Sequence, residues 1–257
     1  MKSEVPSYAH DAIKHLSGTD AVMAQIIAQV GELRLAHRPE RFQALVRAII
    51  FQQLAGAAAS TIFGRFVKMI GDGRFPTPAL VLAASDDVMR KAGLSRGKMG
   101  YIRDLATHVQ NSALNFRRFP RMEDEEIIAD LTRVRGIGRW TAEMYLMFNL
   151  RRPDVLPVDD LGLRNAVTKA YGMDQPLSAK ELRLFGERWR PYRSAAVWYL
   201  WQSTRIITPD APARAVTSRP MRKTTVLKRH IGKTAPRARP AGKTASRPRQ
   251  ARVEVER

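Results

Sequence analysis

Two short strings in this 257-residue chain carry residue types able to do chemistry. The first runs Leu131-Thr-Arg-Val-Arg-Gly136-Ile137-Gly138-Arg139-Trp140-Thr141-Ala142. Two glycines around one apolar residue permit positive φ and leave no Cβ in the way of an approaching ligand. Ile137 would plug the space between two helices, one ending before the turn and the other beginning at Gly138. The free N–H groups of Gly138, Arg139 and their neighbours then point outward at a helix N-terminus, which favours an anion. A nucleic-acid phosphate fits there without any reading of base sequence. A plain helical hairpin with glycine caps would use the same glycines, so Gly-x-Gly alone decides nothing. The second string, Pro157-Val158-Asp159-Asp160-Leu161, offers adjacent carboxylates. Either could cap a helix starting near Leu161. An ionised carboxylate there could also stabilise positive charge or orient water.

The elements that must position these groups read as helices nearly throughout. Val22, Ile26, Ile27, Val30 and Leu33 share one stripe, and Phe42, Leu45, Val46, Ile49 and Ile50 another, with Pro39 at a first-turn position. An alanine-rich segment spans about Gly56 to Ile70, and Tyr101, Ile102, Leu105 and Val109 mark a later helix. Thr77-Pro78 reads as N-cap plus first-turn proline, Ser85 as a further cap, and Ser178-x-x-Glu181 as a capping box. No stretch shows clean strand alternation. The expected fold is all-α, some ten short helices in two lobes, with the hairpin at about 131–149 and a cleft between the lobes.

Composition narrows the partners. The formal charge is +20, from 44 Lys+Arg against 24 Asp+Glu. Residues 209–257 hold 14 of those bases and three acids, with no Phe, Trp or Tyr. Such a segment cannot bury enough apolar surface to offset its ordering entropy, so a basic, disordered tail is expected after a domain at 1–208. It would add non-specific attraction to a polyanion, with nucleic acid the expected one and a simple solubility extension the alternative. The absence of cysteine excludes a disulfide framework, a thiolate zinc site, a cysteine nucleophile and a cysteine-ligated iron–sulfur cluster. No apolar h-region opens the sequence and no run approaches the roughly 20 residues that span a bilayer. A soluble, intracellular monomer is expected, in the cytoplasm with a bacterial nucleoid or in a nucleus.

The string at 131–142 resembles the helix–hairpin–helix of DNA-repair glycosylases, which reads apolar-x-Gly-apolar-Gly, then a basic residue and Thr-Ala. Here those positions are Val134, Gly136, Ile137, Gly138, Arg139 and Thr141-Ala142. Lyase members of that superfamily place a Schiff-base lysine where this chain has Trp140, and an indole forms no imine. Without cysteine, the iron–sulfur branches are excluded as well. What remains is similar to the 3-methyladenine DNA glycosylase II family, over about residues 20–205. Leu45-Val-Arg-Ala-Ile-Ile-Phe-Gln52-Gln53-Leu54, Gly93-Leu-Ser95-x-x-Lys98 and Arg188-Trp189-Arg190-Pro191-Tyr192 also carry the likeness. A compact form is implied, with no room for an N-terminal β-rich domain before Ala21.

The resemblance implies roles residue by residue. Asp160 would be the catalytic carboxylate, with Asp159 the structural one. Breaking an N-glycosidic bond leaves positive charge on the sugar, which an ionised carboxylate stabilises. Trp140 and Trp201 would stack the cationic ring of an alkylated purine. Met144 and Leu161 stand where the best-known pattern has pocket tyrosines, and Tyr145 is the residue expected to compensate in part. Leu54 would be the wedge that fills the gap left by a flipped base, beside Gln53. Gly136, Gly138, Arg139 and Thr141 would meet DNA phosphates. The backbone carbonyls of Thr132, Val134 and Ile137 match the superfamily's monovalent-cation site, holding Na+ or K+; no other cofactor is implied. The expected activity is monofunctional excision of alkylated bases such as 3-methyladenine and 7-methylguanine from damaged duplex DNA. The rivals are a non-enzymatic DNA-binding module, in which Asp160 only caps a helix, and a glycosylase for deaminated or oxidised bases.

Overall fold

The computed structural model describes residues 3–36 and 41–206. Both the expected first-turn Pro39 and the basic segment 209–257 lie outside them. Twelve α-helices are present among the described residues: α1 (Ala9–Thr19), α2 (Ala21–Val30), α3 (Arg41–Phe51), α4 (Gly56–Gly71), α5 (Pro78–Ala83), α6 (Asp86–Lys91), α7 (Arg96–Gln110), α8 (Asp124–Thr132), α9 (Arg139–Tyr145), α10 (Leu161–Ala170), α11 (Ala179–Phe185) and α12 (Arg193–Ile206). One exception to the all-α expectation is a two-residue antiparallel pair, β1 (Ser3–Glu4) with β2 (Leu35–Ala36). Pairs that short leave no alternation to read in sequence.

Local chemistry sets most of the boundaries. The Thr77, Ser85 and Ser178 side chains accept N–H groups at the starts of α5, α6 and α11, and Glu181 completes the Ser178 capping box. A second such box, Glu123 with Glu126, starts α8. Asp20 does more than cap. One carboxylate oxygen accepts the Val22 and Met23 amides of α2, at 3.0 and 3.2 Å. The other accepts Tyr171 Oη–H at 2.6 Å and Trp189 Nε1–H at 3.3 Å. A buried carboxylate is tolerated when its lone pairs are filled in this way. Asp20 thereby ties the start of the chain to its last third.

One continuous apolar core runs through the described residues, from Ala9 to Leu200. The described residues thus form one shared core. Four packings matter for the site: α8 on α9, α3 on α7, α3 on α9, and α10 along α12. They bring a hairpin, a loop after α3 and the start of α10 onto connected supports.

Candidate active site

The turn between α8 and α9 is built on two plugs. Val134 and Ile137 are buried, and the Ile137 amide donates to the Val134 carbonyl at 3.1 Å. Only one of the two glycines uses positive φ. Gly136 sits at +84°, with the Tyr101 ring where a Cβ would project. Gly138 has φ −89° and is the N-cap of α9, with nothing within 4 Å of a built Cβ. Its value is open space outside the helix end rather than conformational freedom. No side chain caps α9, so its first amides are left to solvent or a ligand.

Two of the residues expected to meet DNA have partners within the fold. The Arg139 guanidinium is held by acids of its own fold, bidentate to Glu125 and through Nε to Glu143 at 3.1 Å. Its charge is largely answered before any phosphate arrives. Thr141 is buried in the first turn of α9 and packs inward. Arg133, Arg135, Gly138 and Arg139 are exposed around the turn, and Arg135 itself leans on Asp104 at 3.3 Å.

The loop Arg151–Asp160 then returns the chain to the same side. Asp160 is the N-cap of α10, accepting the Leu163 amide on Oδ1 at 2.5 Å. The expectation that Asp159 is the structural acid is corrected here: Asp159 is exposed and the capping carboxylate is Asp160. Capping does not exhaust it. Trp140 Nε1–H donates to Oδ2 at 2.8 Å, and Trp201 Nε1–H donates to Oδ1 at 3.1 Å. A carboxylate has about four acceptor sites; three are taken, and the one left is on Oδ2. Gly162 makes this geometry fit, because a Cβ there would lie 3.1 Å from Oδ1.

Around that carboxylate the side chains sort by exposure. Trp140 is 47% exposed and Leu161 64% exposed, so both form an open lip. Trp201 is half-buried and stacks on Phe148 at 6.4 Å and 22°. Met144 is half-buried against the core. Tyr145 does not compensate for missing pocket tyrosines: it is buried, packed against Phe116 and Phe119. Phe148 supplies the extra aromatic instead, from a π-helical turn (Leu146–Leu150) that follows α9 and shifts the facing of later residues. A regular 3.6 period would not have pointed to it. On the other flank Leu54 is 40% exposed, and Gln53 before it sits at φ +56°.

A separate cavity of about 830 Å³ lies behind the hairpin, lined by Glu125, Arg139, Glu143, Arg183, Glu187 and Arg193 among others. It includes neither Asp160 nor either indole. Glu143 is its notable group: 3% exposed, with Oε2 unpartnered, and burial pushes its carboxyl from 4.5 up to about 7. Between those values the folded protein holds a proton that the unfolded chain has released, so stability falls as pH rises through that window. Glu143→Gln should flatten this slope in denaturant titrations from pH 4.5 to 7. An unchanged slope would show that Glu143 does not carry it. No group of three or more metal-ligating His, Asp or Glu side chains occurs among the described residues.

The profile of the HhH-GPD superfamily base excision DNA repair proteins matches residues 46–191, from the middle of α3 to the start of the loop before α12. The chain belongs to that superfamily. DNA-3-methyladenine glycosylase 1 of Schizosaccharomyces pombe is 33% identical over 217 residues, 83% of this chain and 95% of that protein. A solved structure of the fission-yeast 3-methyladenine DNA glycosylase in complex with abasic DNA superposes with a TM-score of 0.66, at 34% identity, covering 76% of this chain and 97% of that one. A DNA-3-methyladenine glycosidase structure from Bacillus halodurans gives a TM-score of 0.70 at 37% identity, covering 79% and 92%. This HhH-GPD chain is thus a member of the 3-methyladenine DNA glycosylase family.

Proposed function

We propose that this HhH-GPD protein is a monofunctional DNA glycosylase that hydrolyses the N-glycosidic bond of alkylated purines in duplex DNA. One observation carries the reading: Asp160 sits between two indole N–H groups, at an open lip of Trp140 and Leu161, with Trp140 in the first turn after the glycine hairpin. The names of the relatives, and the abasic DNA in the fission-yeast structure, support the same substrate class.

The division of labour follows from the groups present. Amides at the start of α9 take a phosphate of the backbone, and Gly138 gives that phosphate room. Extruding the base costs a few kcal/mol, which Leu54 offsets by filling the stack. An N3- or N7-alkylated purine is cationic, so indole faces attract it and no strong general acid is needed to expel it. Asp160 then stabilises the positive charge growing on the sugar, held in place by Trp140, Trp201 and the Leu163 amide. Its remaining acceptor site can orient the attacking water. The product is an abasic site.

The hairpin carbonyls of Thr132, Val134 and Ile137 suit a monovalent cation. Thr132 ends α8, where carbonyls lack helical partners, and Val134 keeps one lone pair beyond its bond to Ile137. Na+ or K+ held there would add positive charge beside the phosphate. The protein works as a monomer on damaged duplex, and the cations of 209–257 add salt-sensitive affinity.

Strand cleavage is not part of this activity, because Trp140 occupies the position from which a lysine would attack the sugar. Incubation with methylated duplex should liberate free methylpurine and leave the backbone intact until alkali is added. Borohydride should trap no protein–DNA adduct at a rate matching base release. An adduct that forms at that rate, and disappears when one lysine is replaced, would show lyase chemistry.

A further inference from the structure

The string Gly93-Leu94-Ser95-x-x-Lys98 has no part in the chemistry above, yet each of its residues has a defined place. Gly93 turns the chain between α6 and α7 at φ +99°, Leu94 is buried, and Ser95 caps α7. Lys98 is the unexpected member. A lysine in the first turn of a helix faces the positive end of the dipole, so helix stability gives no reason for it. Its ammonium instead reaches across to the end of α3. Nζ donates to the Ile50 carbonyl at 2.7 Å and to the Gln52 carbonyl at 2.8 Å. Those are carbonyls at a helix terminus, which lack intrahelical partners. Burial holds the Lys98 ammonium below its ordinary pKa, as expected for an amine committed to the interior side of a loop.

The same loop is tied a second time. Gln52 Nε2–H donates to the Gly136 carbonyl of the hairpin at 2.8 Å. One and two helical turns past Lys98, α7 also touches the hairpin. Tyr101 lies against Gly136, and Asp104 accepts the Arg135 amide at 2.9 Å. Residues spaced by three share a helix face, so one face of α7 holds both the wedge loop and the hairpin. Between these ties Gln53 is kept in the left-handed region, and Leu54 is presented to solvent.

We infer that Lys98 and Gln52 form a latch that fixes the wedge residue Leu54 relative to the phosphate-binding hairpin, and that both are positioning residues for base flipping. The inference rests on the glycosylase reading. A phosphate seated at the start of α9 sets where the duplex lies, and the latch sets where the wedge meets it. A loop freed from Lys98 and Gly136 would let Gln53 relax to negative φ and swing Leu54 away from the gap it must fill. The chemistry at Asp160 would remain intact. The defect should therefore appear only where the base has to be extruded.

The test uses Lys98→Met, which keeps length and apolar volume but loses the donor, and Gln52→Met, which breaks the second tie without touching the first. Single-turnover base release is compared on two methylated substrates, a fully paired duplex and single-stranded DNA of the same sequence. 2-Aminopurine beside the lesion reports flipping. On paired duplex both variants should lose about ten- to a hundredfold in rate, together with the fluorescence rise. On single-stranded DNA each should stay within about threefold of wild type, because nothing has to be unpaired there. Lys98→Arg should recover part of the duplex rate. Equal losses on both substrates would make the residues structural supports of the active site and overturn the latch. An active wild type matched on duplex by both variants would overturn it too. A wild type that frees no base from either substrate would instead sink the glycosylase reading, and the latch with it. Should Lys98→Met fail to fold, Gln52→Met decides by the same comparison.

Discussion

Replacing Asp160 by Asn should reduce base release by about a thousandfold or more while duplex binding persists. Asparagine is itself a good N-cap, so α10 should start as before and the fold should survive. What changes is the charge and one hydrogen bond. If the amide oxygen keeps the two donors on the Oδ1 side, Trp201 Nε1–H and the Leu163 amide, the NH2 must face Trp140 Nε1–H, donor against donor. The Trp140 indole should then leave its 2.8 Å position, and its fluorescence should change with it. Asp159→Asn, at an exposed site, should release base at close to the wild-type rate. Anisotropy for binding and chromatography for free base separate the two effects. An inactive Asp159 variant beside an active Asp160 variant would mean the wrong acid has been assigned.

The second large effect separates the hairpin glycines. Gly136→Ala forces a Cβ into the Tyr101 ring at a backbone φ of +84°, so it should destabilise the fold by about 2 kcal/mol or more. Gly138→Ala meets nothing within 4 Å and keeps an ordinary φ, so the melting temperature should hardly move. It fills the space a phosphate needs, and duplex affinity should fall by about tenfold, the size of one charged contact. Thermal melts beside binding titrations check the pair. A Gly138 variant that binds DNA normally would take the phosphate away from the start of α9.

That contrast also marks what the sequence made legible. Helix starts at Thr77, Ser85 and Ser178 could be read because a cap is a contact over three residues. The hairpin was readable for a similar reason, since Gly136-Ile137-Gly138 lies between two helical stripes. What one string could not show is how distant strings meet. The Asp160 clamp joins α9, α10 and α12, with Trp140 and Trp201 sixty-one positions apart. Arg139 reads as a free base for phosphate, but Glu125, fourteen residues earlier, faces it across the hairpin. Tyr145, expected to help line the pocket, is instead buried against Phe116 and Phe119, and Phe148 reaches Trp201 from a π-helical turn that breaks the period on which facing is judged. Which of the two adjacent acids caps α10 was open in the sequence; the structure shows that the capping bond is one of three bonds orienting Asp160.

The central claim is that this carboxylate, aimed by two indoles, cuts the bond between sugar and alkylated base. It is tested most directly by counting products after a single turnover on methylated duplex. The account predicts free methylpurine and abasic sites in equal amounts, with the strands uncut and both products missing for Asp160→Asn. Tight duplex binding by the wild-type protein with no base set free would contradict it, leaving a DNA-binding hairpin whose aspartate does no more than begin a helix.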